Sequence, residues 1–411
     1  MNKKRSFTGG LIVGIVLTLF LGCGYFTGKQ LYRAIKVRQG AVSATGSGIS
    51  DGDAVANPST IQKMDILEQM IHEYYLEDVN EADMETGVYK GMVEALGDPY
   101  STYYSKDELE ELQKKTQGIY YGIGARVGID SETQLPRIAS VIEGTPAEEA
   151  GLMAGDLLYK VGDTMMQGMD LTAAVALVKG DEGTTVHLTV IREGETDYLE
   201  FDVVRRKLEN ETVTHKMLEE NIGYIQIQEF DDVTLDQFTD ALATCRGSGM
   251  EGLILDLRGN PGGNLNTVCD IARLMLPEGL IVYTEDKAGK REEYTSDGTH
   301  QLDVPLVVLV DGNSASAAEI LAGAVKDYGI GTLVGTTTYG KGIVQRIMKL
   351  SDGSAVKLTV SNYFTPKGNN IHKIGIEPDV EEPFEAEPYV KDGTDNQLNK
   401  GLEVLKEKMA Q

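Results

Sequence analysis

A serine, a lysine and a glutamine dominate the second half of the chain. Ser316 ends the turn Asp311-Gly312-Asn313-Ser314-Ala315-Ser316, between an apolar run from Pro305 to Val310 and a helical stretch opening at Ala317-Ala318-Glu319-Ile320. The start of a helix leaves backbone N–H groups unpaired, and such groups can receive an oxyanion. Lys341 lies between Gly340 and Gly342 and is followed by Ile343 and Val344. To serve as a base near neutrality its amine must drop about three units from ~10.4, which burial can supply. Gln345 follows four residues later, a spacing that puts both side chains on one face of a strand or helix, so its amide can orient the amine. The same serine also fits a helix N-cap, because Ser316-Ala317-Ala318-Glu319 is a capping-box pattern. Ala315, Ala317 and Ala318 are small enough for a substrate backbone to approach. Asp256-Leu257-Arg258-Gly259-Asn260-Pro261-Gly262-Gly263 is a second glycine-rich turn after a strand and offers a further oxyanion donor.

A histidine base is the competing arrangement. Of His72, His187, His215, His300 and His372, only His372 falls in the motif-rich region.

The elements that must place these groups alternate. Strands are predicted at Ile222–Ile227, Gly252–Leu257, Leu306–Val310 and Thr332–Val334. Helices are predicted at Leu235–Ala243, Thr267–Leu276 and Ala317–Asp327. Lys341–Leu350 and Ala355–Val360 read as a hairpin. The alternation argues an α/β core over residues 208–388, with a helical tail over 389–411. Before it, residues 118–207 are strand-rich. Gly122-Ile123-Gly124-Ala125 opens a strand, and Pro146-Ala147, Ala150-Gly151-Leu152 and Gly155-Asp156 follow. This run resembles a PDZ domain. The resemblance implies that backbone N–H groups of Gly122, Ile123, Gly124 and Ala125 take a peptide's terminal carboxylate. Residues 58–117 read as amphipathic helices, with Ile61, Met64, Leu67, Met70 and Ile71 at helical spacing.

Residues 7–26 carry no charge and follow Lys3-Lys4-Arg5. As a helix they would span ~30 Å, about one bilayer core, with residues 1–6 on the cytoplasmic side. A single-pass signal-anchor is expected, residues 27–57 being a flexible Gly/Ser-rich tether and the folded part extracytoplasmic. A cleaved signal peptide is the alternative. The 411 residues hold 38 Lys+Arg against 64 Asp+Glu, a formal charge of −26 that argues against nucleic acid as a ligand. Cys23, Cys245 and Cys269 form no disulfide framework or zinc pattern, and no metal or cofactor is expected.

Together, Asn313–Ile320, Lys326-Asp327-Tyr328-Gly329, Tyr339–Gln345, Asp256–Gly263 and Gly375-Ile376-Glu377-Pro378-Asp379 resemble the C-terminal processing peptidases, or tail-specific proteases. The resemblance covers roughly residues 60–385. It implies Ser316 as nucleophile, Lys341 as general base, Gln345 as its orienter, and an oxyanion hole from the N–H groups of Gly262 (or Gly263) and Ala317. It also implies substrates cut near their C-termini, with the PDZ domain binding the tail and gating activity. The helical regions resemble segments used for dimerisation in some relatives, so a homodimer is an expectation. A non-catalytic peptide-binding scaffold with a degenerate core, or another acyl-transfer enzyme, remain the rival readings.

Overall fold

The computed structural model describes residues 54–410. The expected membrane anchor and most of the tether lie outside these residues. Among the described residues no helix is long and apolar enough to cross a membrane.

The chain forms two compact units, dividing after Glu81. The described part of the first holds helix α1 (Pro58–Tyr74). Asn57 caps it by accepting the Thr60 N–H at 3.1 Å, and Pro58 supplies a first-turn residue with no N–H to satisfy. Its apolar face, with Ile61, Ile66, Leu67 and Met70, is exposed.

The second unit starts in α2 (Glu81–Glu94) and continues through β1 (Thr102–Tyr104) and α3 (Lys106–Thr116). A reciprocal pair of hydrogen bonds between Ser105 and Glu108 starts α3. A two-stranded ribbon then leads into and out of a separate β-rich module: β2 (Ile119–Gly122) pairs antiparallel with β9 (Arg206–Glu209). Between them lie β3 (Ala125–Ile129), β4 (Pro136–Val141), α4 (Pro146–Glu149), β5 (Leu157–Val161), β6 (Thr164–Met165), α5 (Leu171–Val178), β7 (Thr185–Ile191) and β8 (Leu199–Val204). The sheet order is β3-β4-β5-β7-β8, so β3 is an edge strand, and α5 lies against it. Ile138, Leu158, Met166, Leu188 and Val190 form this module's own core. Buried Asp156, in the Gly155-Asp156 pair, is gripped through both oxygens by Arg192 at 2.7 and 2.8 Å.

The second sheet has the order β10-β11-β12-β15-β16-β19, built from β10 (Val213–Met217), β11 (Ile222–Ile227), β12 (Gly252–Asp256), β15 (Leu306–Val310), β16 (Gly331–Gly335) and β19 (Val380–Glu381). All its pairs after β10–β11 are parallel. Parallel strands are covered on both faces and read as continuous apolar runs, as Leu306-Val307-Val308-Leu309-Val310 does. Alternation sorts their side chains. Leu253, Leu255, Leu306, Val308 and Val310 pack with α6 (Thr234–Gly247), α7 (Leu265–Arg273) and α8 (Ala317–Tyr328). Ile254, Val307 and Leu309 face the other way, onto Leu398, Leu402 and Leu405 of the C-terminal helix α10 (Asn396–Met409), which follows a short α9 (Ala386–Asp392). The sequence pattern gave α10 an apolar face but not its partner.

A third sheet, absent from the sequence reading apart from one hairpin, joins β13 (Gly279–Asp286), β14 (Arg291–Ser296), β17 (Ile343–Lys349) and β18 (Ala355–Phe364) to β1. Through the antiparallel β1–β18 pairing, the segment just after α2 is fixed to the strand beside β17.

Candidate active site

The ends of adjacent parallel strands β12 and β15 carry the two glycine- and serine-rich turns, the usual place for a site in such a sheet. Three hydrogen bonds stitch the turns together. Ser314 Oγ donates to the Leu257 carbonyl at 2.8 Å, the Gly259 N–H to Asp311 Oδ1 at 3.0 Å, and the Ala315 N–H to the Asn260 carbonyl at 2.9 Å.

Ser316 stands at the sharp corner between this loop and α8, with φ 54° and ψ −113°. A positive φ at a residue with a Cβ costs on the order of 1–3 kcal/mol and persists only where the surroundings enforce it. The enforcing group is Glu319, fully buried one turn into α8. Its Oε2 accepts the N–H of Ser316 at 2.8 Å and that of Lys341 at 2.9 Å. Its Oε1 accepts the Thr338 hydroxyl at 2.6 Å and the Gly340 N–H at 2.7 Å. Thus the glutamate half of the capping pattern is present, but the Glu319 N–H goes to the Ser316 carbonyl at 2.9 Å. The Ser316 hydroxyl does not cap the helix.

Lys341 lies in the loop before β17 and is half-buried. Burial, and next the positive charge of Lys357, lower its amine below the ordinary lysine value, against the opposing pull of Asp98 and Glu319. Its Nζ sits over the ring of Tyr100, 4.5 Å from the centroid. Among the described residues no hydrogen bond joins Lys341 Nζ to Ser316 Oγ or to Gln345. Lys341 lies outside β17, and the β17–β18 register shifts between Val344 and Gln345, so regular strand alternation does not link the two side chains. Gln345 Nε2 instead donates to Thr359 Oγ1 at 3.3 Å. The structure therefore brings the backbones of Ser316 and Lys341 onto one carboxylate without joining their side chains in this conformation.

Gly262 comes closest to the serine. A Cβ there would lie 2.7 Å from the Ala315 carbonyl oxygen and 2.8 Å from Ser316 Cβ, and φ is +101°, so only glycine fits. The Gly262 N–H, expected to face an oxyanion, donates to Asn260 Oδ1 at 2.8 Å, an Asx-type turn in which a side chain caps its own backbone two residues on. The N–H groups of Gly263 and Ala317 have no protein acceptor among the described residues. Behind this turn, buried Asp256 receives three hydrogen bonds from the Arg258 guanidinium, and Arg258 also reaches both oxygens of Asp395, the N-cap of α10.

His372 packs against Gly342, where a Cβ would meet its N at 2.7 Å. Its Nδ1 is buried without a hydrogen-bond partner, and no bond leads from it to Ser316. In the β-rich module, of the expected Gly122-Ile123-Gly124-Ala125 run only Ile123-Gly124 forms the loop between β2 and β3; Gly122 ends β2, paired with Arg206, and Ala125 opens β3, paired with Val141. Gly124 has φ +84° and lies against Thr145, and the N–H groups of Ile123 and Gly124 donate to no protein acceptor among the described residues. The S-x-x-E pattern marks Glu319 only as a local helix cap and not as the carboxylate that also holds Lys341, and nothing in the sequence marks Tyr100, whose approach to Lys341 is wholly non-local.

The profile of Peptidase family S41 matches residues 221–382, that of the PDZ domain residues 137–192, and that of the Activating protease CtpB N-terminal domain residues 19–108. The carboxy-terminal processing protease CtpB of Bacillus subtilis (strain 168) is 35% identical over 384 residues, covering 92% of this chain and 78% of the relative. CtpA of the same organism is 36% identical over 340 residues, covering 82% and 72%. A solved structure of an S41 protease candidate from Bacteroides fragilis NCTC 9343 shares the fold at 18% identity and TM-score 0.50, over 77% of this chain and 90% of the other. With its serine corner, its parallel sheet and its PDZ module, the chain belongs to peptidase family S41, the carboxy-terminal processing serine proteases.

Proposed function

We propose that this protease is a membrane-anchored endopeptidase that cuts proteins near their C-termini through a Ser316–Lys341 pair. Lys341 takes the hydroxyl proton as Ser316 Oγ bonds to the scissile carbonyl carbon. The resulting oxyanion is held by the Ala317 N–H and an N–H of the Gly262-Gly263 turn. The lysine then returns the proton to the leaving amine, and water, activated by the same amine, hydrolyses the acyl-enzyme. Gln345 holds the amine when Lys341 turns toward the serine. The observation that carries this reading is the buried Glu319 carboxylate, which fixes the two residues' backbones to one point while burial lowers the lysine.

The free edge of β3 beside α5 and the open N–H groups of the Ile123-Gly124 loop suit an added peptide strand ending in a carboxylate. The PDZ module would thus hold the substrate tail and, through the β2–β9 ribbon, control its delivery. The uncharged run 7–26 behind Lys3-Lys4-Arg5 supports anchoring, with the catalytic part outside the cytoplasmic membrane.

The test is a serine-directed fluorophosphonate label and a quenched fluorogenic peptide with a free C-terminus, applied to wild type, Ser316→Ala and Lys341→Ala. Both variants should lose turnover, and Ser316→Ala should lose labelling. Cleavage retained in either variant removes the mechanism.

A further inference from the structure

We infer that Tyr100 is a positioning residue for Lys341: its ring holds the amine in the ammonium form and so sets the pH at which the protease becomes active. The inference rests on the reading of Lys341 as the base.

The geometry has two parts. The first is the 4.5 Å approach of Nζ to the Tyr100 ring centroid. A cation within about 6 Å of an aromatic face is held electrostatically, more strongly where water is partly excluded, and Lys341 is half-buried. The second is the rigidity of the ring's support. Asp98 accepts the Tyr100 N–H at 3.0 Å and the Ser101 hydroxyl at 2.5 Å. Ser101 Oγ in turn accepts the Thr359 N–H at 3.0 Å, and Thr359 Oγ1 accepts from Gln345 Nε2. One turn, Asp98-Pro99-Tyr100-Ser101, therefore touches Lys341 directly and reaches Gln345 through one residue. It lies outside residues 221–382, which match Peptidase family S41, and within residues 19–108, which match the Activating protease CtpB N-terminal domain.

The charged and titratable groups around the amine are Asp98 and Tyr100 on this turn, Tyr339 just before Lys341, Glu319 on α8, Lys357 on β18 and His372 against Gly342. Tyr100 is pushed up to about 12, first by its hydroxyl contact with Tyr339 and then by burial, so it presents a neutral ring at working pH. A neutral amine gains little from the ring. Loss of the proton therefore frees Lys341 from Tyr100, and protonation returns it. The ring, with Asp98 and Glu319, opposes the lowering that burial and Lys357 produce, and so shifts the acid limb of activity upward.

The experiment is the pH profile of kcat/KM on the fluorogenic peptide for wild type, Tyr100→Leu, Tyr100→Phe and Tyr100→Trp, with Tm measured for each. Tyr100→Leu should move the acid midpoint down by about half to one pH unit, a three- to tenfold gain on the acid limb. Tyr100→Phe keeps the aromatic face and should keep the wild-type midpoint. Tyr100→Trp, with a stronger face, should move it up, and provides the test if the leucine variant does not fold. A midpoint that is the same in Leu, Phe and Trp variants overturns the inference while leaving the base reading intact. Activity in Lys341→Ala would overturn both.

Discussion

Glu319 accepts the Lys341 N–H at 2.9 Å on the same carboxylate oxygen that accepts the Ser316 N–H at 2.8 Å. With Thr338 and Gly340 on the other oxygen, four donors converge on one fully buried carboxylate. A glutamine is nearly isosteric but must turn an NH2 toward donors on one side. Glu319→Gln should therefore lose about 2 kcal/mol or more of stability from donors left without an acceptor. If Ser316 and Lys341 act as proposed, it should also lower kcat ~100-fold, because a small displacement of one against the other costs that much. Turnover and Tm measured together check this. A glutamine variant with wild-type kcat would mean that the carboxylate does not set the site's geometry.

Gly262 and Gly259 sit on the same turn, and both have positive φ, but their surroundings differ. A Cβ on Gly262 would collide with the Ala315 carbonyl and Ser316, whereas one on Gly259 meets nothing within 4 Å. Gly259→Ala should cost only the left-handed penalty of ~1–2 kcal/mol and retain activity. Gly262→Ala should displace Ser316 and reduce kcat/KM ~100-fold or more. Equal kinetics for the two variants would separate the turn from the chemistry.

The parallel strands were legible because burial on both faces leaves uninterrupted apolar runs such as Leu306–Val310, and the serine corner followed from the small residues after them. The hairpin β13–β14 was not, because Glu285, Asp286, Arg291, Glu292 and Glu293 break any apolar alternation there. The tail helix was visible as an amphipathic pattern, yet nothing local states that its apolar face closes the second side of the sheet. At the candidate site, residue type and spacing singled out Ser316, Lys341 and Gln345. Both missed what holds them, since Tyr100, Thr338 and Asp395 reach the site only through the fold. The strand argument pairing Lys341 with Gln345 assumed a regular ladder, and the register shift after Val344 removes that premise.

Asp395 joins the C-terminal helix to the Asp256–Gly263 turn by accepting from Arg258 at 2.9 and 3.0 Å, and it also caps α10 by accepting the Leu398 N–H at 3.0 Å. Burial alone would raise its carboxyl, but the Arg258 hydrogen bonds and the capped backbone outweigh this and hold it below the usual carboxylate range. Because its folded value is depressed, its contribution is present above ~3.9 and is lost as pH falls further, through the folded value. Asp395→Ala should cost roughly 2–3 kcal/mol near neutrality from the lost cap and the half-unpaired guanidinium. Asp395→Asn, which keeps the cap, should cost less. Urea unfolding at pH 7 checks the order, and equal losses would deny the ion pair any share.

Asp231 has the opposite sign. It is buried between Gly118 and the start of α6, and its Oδ2 has no hydrogen-bond partner. Burial first, then the charge of Glu229 and, less, of Asp232, push its carboxyl up to about 7, with Lys115 opposing. In the unfolded chain it would release its proton near ~3.9. Its contribution is therefore full below about pH 4 and is lost as pH rises toward 7, because the unfolded chain ionises first. The loss should be on the order of a few kcal/mol. Asn supplies a permanently neutral side chain of the same shape. Asp231→Asn should match wild type in stability at pH 4 and exceed it at pH 8. Denaturant unfolding at the two pH values checks this, and an asparagine variant that gains nothing at pH 8 would show that the carboxyl is already ionised in the folded protein.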